Sequence, residues 1–149
     1  MVTDIHLCHI ETDDALAACF PVMRLLRPGL SGPGEFIASV RRMENDRYRI
    51  LAACRGDVPL ALAGYRLQEN LIYGRFLYVD DLVTAEASRG QHLGARLLAE
   101  LSDLAVREGC RKLVLDTGLS NALAQRFYFR QGLLTGAMRF SKVLEEKRG

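Results

Sequence analysis

Asp80-Asp81-Leu82-Val83-Thr84, followed after a short gap by Arg89-Gly90-Gln91-His92-Leu93-Gly94-Ala95, is the stretch on which the fold turns. Upstream of it apolar residues recur with period 2. Downstream the period becomes 3.6, and Leu93, Leu97, Leu98, Leu101 and Leu104 make one stripe of a helix that Gly109 closes. A strand therefore feeds a loop with glycines that opens a helix. Such a loop turns several unpaired backbone N–H groups one way, and with the helix dipole they suit an anion such as a pyrophosphate. Gly90, Gly94 and Ala95 are small enough for a phosphate to approach the backbone closely. From the loop alone an ordinary turn is as good a reading, because glycines often precede helices. Neither G-x-G-x-x-G nor G-x-x-x-x-G-K-[ST] is present, which excludes the dinucleotide fingerprint and the P-loop.

Working outward, Ile5–Ile10 reads as a first strand. Thr12, Asp13 and Asp14 offer caps for a helix toward Leu26, with Leu16, Phe20 and Met23 on one stripe. Pro21 predicts a kink or a late start in that helix. A second helix is expected over Gly34–Asn45 with Phe36, Ile37 and Val40 inward. Strands follow at Tyr48–Cys54, Leu60–Leu67 and Phe76–Thr84, separated by turns at Gly56-Asp57 and Glu69-Asn70. After the leucine-striped helix come a short strand, Lys112–Asp116, a helix, Asn121–Gln131, and a last strand, Met138–Leu144. The order β-α-α-β-β-β-α-β-α-β implies an α/β (α+β) fold: a mixed sheet with helices on its faces, in one domain spanning residues 1–149.

Composition limits the function classes. With 149 residues, 49% hydrophobic and 26% charged, the chain is ordinary for a soluble globular domain with a real core. A net charge of +2 without a basic patch, and the absence of Trp, argue against nucleic acid. No apolar run approaches the ~20 residues that span a bilayer, and the N-terminus lacks the pattern of a signal peptide. Cys8, Cys19, Cys54 and Cys110 form no C-x-x-C pair and read as free thiols. His6 and His9 fall on opposite faces of a strand, so no metal site is expected. The expected location is cytoplasmic.

A second segment decides what the loop is for. Asn121-Ala122-Leu123-Ala124-Gln125-Arg126-Phe127-Tyr128, then Gly132-Leu133, follows the short strand ending near Asp116. Together the two segments resemble the GNAT superfamily of acetyl-CoA-dependent N-acetyltransferases. That family's phosphate loop reads R/Q-x-x-G-x-G/A, and its later helix reads N-x-x-A-x-x-F/Y-Y-x-x-x-G-F/L. Arg89 and Gly94 match the loop; Asn121, Ala124, Phe127, Tyr128 and Gly132 match the second motif fully. The likeness is detailed over roughly residues 76–135. One position departs: His92 stands where the loop has its first glycine, and must offer its N–H while its side chain stays clear of the phosphate.

The resemblance implies a mostly antiparallel central sheet whose Phe76–Thr84 strand splays from its neighbour to admit pantetheine. It further implies that backbone groups at Leu82 and Val83 bond the pantetheine amides. Residues Arg89, Gly90, Gln91, His92, Leu93, Gly94 and Ala95 would hold the pyrophosphate, Asn121 and Ala124 would lie along the pantetheine arm, and Tyr128 would stand near the sulfur. The implied reaction moves an acetyl group from acetyl-CoA to a small-molecule or peptide amine. An attacking amine must first lose a proton, and the acids available on the splayed strand are Asp80 and Asp81. Neighbouring strand residues point to opposite faces, so only one faces the substrate unless a bulge intervenes; Asp80 is preferred. Both are also readable as edge carboxylates satisfying backbone donors. A non-catalytic acyl-CoA sensor of the same fold would need neither the acid nor Tyr128, and this chain has both. Proteins of this kind are often dimers, and the sequence decides neither for nor against a homodimer.

Overall fold

A computed structural model describes residues 4–145. In chain order the elements are β1 (Ile5–His9), α1 (Asp13–Leu26), α2 (Pro33–Met43), β2 (Tyr48–Arg55), β3 (Val58–Asn70), β4 (Gly74–Thr84), α3 (Leu93–Arg107), β5 (Lys112–Leu115) and α4 (Ala122–Arg130). Single 3-10 turns lie at Glu44–Asp46 and Glu86–Ser88. The chain divides after Leu115 into two compact units, the first holding the sheet and the first three helices.

The strands lie side by side in sequence order, antiparallel from β1 to β4. The last pair, β4 with β5, is parallel, and a parallel pair needs a long crossover, which α3 supplies. Alternation along β2 assigns the two faces. Tyr48, Ile50, Ala52 and Cys54 join Leu62 of β3 in a core with Leu16, Cys19, Phe20 and Met23 of α1 and Phe36 and Val40 of α2. Leu51, Ala53, Ala61 and Ala63 alternate onto the other face, where α3 lies against the sheet. The five leucines of the predicted α3 stripe are all buried. Small alanines on this face let the helix sit close.

Local signals in the sequence explain most boundaries. Thr12 Oγ1 accepts the Ala15 N–H at 3.1 Å and caps α1, and Asp13 and Asp14 favour its dipole. Gly109, at φ +76°, ends α3 as expected. Two expectations fail. The late start offered as one alternative for α1 does not occur: the helix begins at Asp13 and runs through Pro21. A proline inside a helix costs ~3 kcal/mol, whereas burying one large apolar side chain gains ~1.5–3 kcal/mol; Leu16, Cys19, Phe20, Val22 and Met23 are all buried. The strand expected at Met138–Leu144 does not form: the segment is irregular and leaves Met138, Phe140, Val143 and Leu144 exposed. Spaced apolar residues suit a strand, but only a neighbouring strand satisfies its backbone groups, and among the described residues none pairs here.

The sheet carries one irregularity of consequence. Gly64 of β3 pairs with Asp81 while Tyr65 pairs with Val79, so Asp80 is an extra residue in β4, a bulge. Gly64 makes room for it. A Cβ at this position would collide with the Tyr48 hydroxyl and lie 2.6 Å from Asp81 Oδ2. Gly64→Ala should therefore destabilise the fold by about 1–3 kcal/mol, the usual range for overpacking. Urea unfolding at constant m-value checks this; an unchanged midpoint would mean that Tyr48 and Asp81 move aside freely.

Candidate active site

The ladder between β4 and β5 joins Phe76–Val79 to Lys112–Leu115 and ends there, while β4 continues to Thr84. From Asp80 to Thr84, among the described residues, no strand pairs with that edge of β4. The other edge stays bonded to β3 through Ala61–Gly64, and Ala85 N–H extends this by donating to Leu60 O at 2.8 Å. The strand thus carries a row of backbone donors and acceptors, including those near Leu82 and Val83, that no strand among the described residues pairs. The bulge falls at the residue where the β4–β5 pairing stops.

The bulge changes which way the carboxylates face. Val79 and Leu77 pair with Tyr65 and Leu67 and share the α3 face. One extra residue reverses the parity, so Asp81 lies with Val83 on the α1–α2 face, and Leu82 on the α3 face. Asp81 is buried, and its oxygens are fully engaged: Arg27 Nε donates to Oδ1 at 2.9 Å, and the Tyr48 hydroxyl donates to Oδ2 at 2.6 Å. Burial, and then the Asp81 charge, push the Tyr48 phenol far up, so it is a donor at every working pH. Asp80 is placed differently. Its two oxygens share one donor, Arg66 Nε, at 3.1 Å each, and its carboxylate is half-buried. Burial raises its pKa above the ordinary value, the neighbouring Asp81 adds to the rise, and Arg66 and Arg27 oppose it. Arg66 also lies over the Tyr48 ring, 5.6 Å from its centroid. Both carboxylates therefore reach the same face, but one is spent on holding the strand and the other keeps free lone pairs.

Beyond Thr84 a 3-10 turn at Glu86–Ser88 leads to the loop. Gly90 has φ +87° and His92 φ +60°; His92 occupies the N-cap of α3 with no side-chain cap bond. The left-handed region costs a residue with a Cβ ~1–2 kcal/mol, but His is among the residues found there more often than most. That is how a histidine stands in a glycine's place, and the residue is exposed. Leu93 anchors the turn in the core, and Gly94 and Ala95 follow half-buried. Arg89, Gly90 and Gln91 are exposed, and Arg89 has no ion pair among the described residues.

In the second unit, Asn121 Oδ1 accepts the Ala124 N–H at 3.2 Å and caps α4. Gln125 Nε2 bonds Gly118 O and Leu119 O, fixing the approach to the helix. At the other end Leu133 N–H reaches Tyr128 O and Gly132 N–H reaches Phe129 O, a Schellman cap that requires the φ of +89° at Gly132. Asn, Gly and the following leucine thus have local structural duties. Ala124 and Tyr128 share a helical face four residues apart. Tyr128 packs edge-on to Phe127 at 5.4 Å, and burial pushes its phenol up.

The sequence pattern of the acetyltransferase (GNAT) family matches residues 12–133. The chain belongs to that GNAT family of acetyltransferases. It is 27% identical over 124 residues to an uncharacterized N-acetyltransferase of Bacillus subtilis, covering 83% of this chain and 87% of that protein. It is 32% identical over 101 residues to the aminoalkylphosphonate N-acetyltransferase of Salmonella typhimurium, covering 67% and 64% respectively. Among solved structures, an aminoglycoside N-acetyltransferase in complex with CoA superposes with a TM-score of 0.81 at 15% identity, covering 95% of each chain. In this GNAT protein the residues that sequence reasoning missed are Arg27, Tyr48, Gly64 and Arg66. Gly64 carried a signal, since an isolated glycine inside a strand marks a bulge or a close approach. The other three become visible only once the strands are registered. No group of three His, Cys, Asp or Glu among the described residues is arranged for a metal ion; the His9 ring bonds the Tyr65 hydroxyl at 2.7 Å.

A phosphate seated on the α3 N-terminus would meet any side chain added at Gly94. Gly94→Val should weaken CoA binding tenfold or more, about 1.4 kcal/mol. The helix itself should tolerate the change, since valine is no worse than glycine in a helix. Calorimetric titration with CoA checks this, and unchanged affinity would move the phosphate site elsewhere.

Proposed function

We propose that this GNAT protein transfers the acetyl group of acetyl-CoA directly to a primary amine, with Asp80 as base and Tyr128 as acid. The observation that carries the reading is the coincidence of the Asp80 bulge with the end of the β4–β5 ladder. The unpartnered edge of β4 and the uncapped N-terminus of α3 follow one another in the chain and suit an amide-bearing arm ending in a pyrophosphate. The family pattern runs through both compact units, which supports one catalytic domain over residues 1–149. Relatives named for aminoalkylphosphonate and aminoglycoside acetylation support a small-molecule acceptor, with a peptide amine as the alternative.

Acetyl-CoA supplies an electrophilic thioester carbonyl and a thiolate leaving group. The protein's part is proton handling and orientation. The amine arrives as an ammonium, which cannot attack. Asp80 takes that proton directly or through a water and later releases it to solvent; its raised pKa brings it nearer the basicity this task needs. Backbone N–H groups of β4 past the bulge would polarise the thioester carbonyl. Tyr128 stays protonated at neutral pH and donates to the departing sulfur, then recovers a proton from the acylated nitrogen.

CoA and acetyl-CoA should raise the melting temperature, because a ligand at a hundredfold excess over Kd adds about 2.7 kcal/mol. NAD and ATP at equal concentration should do much less, and no shift with any CoA ester would remove the cofactor assignment. Tyr128→Phe keeps the ring and loses only the hydroxyl. General-acid help is worth ~10²–10⁴-fold, so kcat should fall at least tenfold with acetyl-CoA affinity little changed. A folded variant with full rate would rule the acid role out.

A further inference from the structure

One side chain ties the end of α1 to the bulge of β4. Arg27 is the first residue after α1, and the segment joining α1 to α2 begins immediately beyond it. Its Nε and Nη2 lie 2.9 and 2.8 Å from Asp81 Oδ1, and Nη2 also donates to the backbone carbonyl of Asp80 at 2.9 Å. The Arg27 side chain is 51% exposed, while the Asp81 side chain is 10% exposed. Arg27 is thus the cation that balances a buried carboxylate, and it also grips the main chain of the bulged residue itself. It makes no contact with the Asp80 carboxylate, which Arg66 holds.

We propose that Arg27 is a positioning residue for acetyl transfer: acting through Asp81 and the Asp80 carbonyl, it fixes the bulge and keeps the Asp80 carboxylate aimed and ionised. The proposal rests on Asp80 being the base. A latch that merely stiffened the fold would need only the charge pair with Asp81. The second bond, to the carbonyl of the residue whose side chain does the chemistry, sets the rotation of that peptide and hence the direction of its Cβ. Electrostatics point the same way. The groups facing Asp80 are Arg66 from β3, with Asp46 behind it at 3.7 Å, Arg27 from α1, Asp81 beside it in β4, and the neutral Tyr48 phenol from β2 through Asp81. Two cations favour its ionised form, and Asp81 opposes it. Without Arg27 one of the two cations is lost and only Arg66 opposes the Asp81 charge, so the Asp80 pKa must rise. A protonated Asp80 cannot take the proton of the ammonium, so the acidic limb of the rate profile moves to higher pH.

The test is the titration of the Asp80 carboxyl carbon by NMR, which needs no knowledge of the acceptor, in the wild type, Arg27→Gln, Arg27→Lys and the double variant Arg27→Gln/Asp81→Asn. The midpoint should rise in Arg27→Gln, rise less in Arg27→Lys, and return toward the wild-type value in the double variant, from which both charges of the pair are gone. If Arg27→Gln does not fold because Asp81 is left unpaired, the comparison of Arg27→Lys and the double variant with the wild type carries the test. The double variant should still turn over at least tenfold more slowly than wild type, with unchanged CoA affinity, because the Asp80 carbonyl has lost its donor. An Asp80 midpoint that ignores Arg27, or a double variant with full kcat, overturns the proposal. Failure of CoA to bind would remove the acetyl-transfer reading instead, and leaves the titration result intact.

Discussion

The carboxylate of Asp81 is the constraint around which the sheet is arranged. An ionised carboxylate in a protein interior is several kcal/mol less stable than in water unless charge and hydrogen bonds replace its hydration. Here Arg27 and Tyr48 do so from two different elements, the end of α1 and the start of β2. Without the extra residue at Asp80, strand parity would send Asp81 toward the leucines of α3, where no such donors exist. The bulge, the bare Cα of Gly64 and the Arg27–Asp81 pair are therefore one arrangement. Removing any member leaves a buried charge unpaired, a collision, or a strand facing the wrong way.

That arrangement separates β4 into two halves with different tasks. From Phe76 to Val79 the strand is ordinary sheet, paired on both edges, with Phe76, Leu77 and Val79 buried. Beyond it, one edge is released, and the strand's backbone polar groups become available to a ligand. Edges of this sort are usually a hazard, because unpaired N–H and C=O groups recruit other strands. The bulge limits the hazard by twisting the released half, and β3 continues to hold its other edge through Ala85. The 3-10 turn at Glu86–Ser88 then delivers the chain to the α3 N-terminus, so the released edge and the proposed anion site are consecutive along one backbone.

Much of this was legible in the sequence because local chemistry dictated it. The period change between Thr84 and Leu93, the Thr12 cap, the Gly109 stop and the Asn121–Gly132 helix with its two caps are all decided within a few residues. Pro21 misled because its penalty is local while the burial that outweighs it comes from β2, β3 and α2. Met138–Leu144 misled for the converse reason: alternation is a property of one segment, but a strand is a property of two. The choice between Asp80 and Asp81 was open for the same reason. It depends on Tyr48, Gly64 and Arg66, which meet the pair only through strand register, and on Arg27, fifty-odd residues away.

Two adjacent aspartates end with different roles through small differences in surroundings. Asp81 has a hydrogen-bond donor on each oxygen and a cation beside it, so its lone pairs are committed and it works as a fixed anchor. Asp80 shares one weakly placed N–H between both oxygens, is half-buried, and feels the anchor's charge as a repulsion. The base proposed here needs both features, spare lone pairs and a raised proton affinity; burial supplies most of the second and the anchor's charge adds to it. Each carboxylate is also accompanied by a guanidinium, Arg27 or Arg66, so the pair adds little net negative charge to the gap. With Asp80 as the proposed base, selection of an acceptor would rest less on attraction of any cation to the site than on whether its nitrogen reaches the free lone pairs of Asp80.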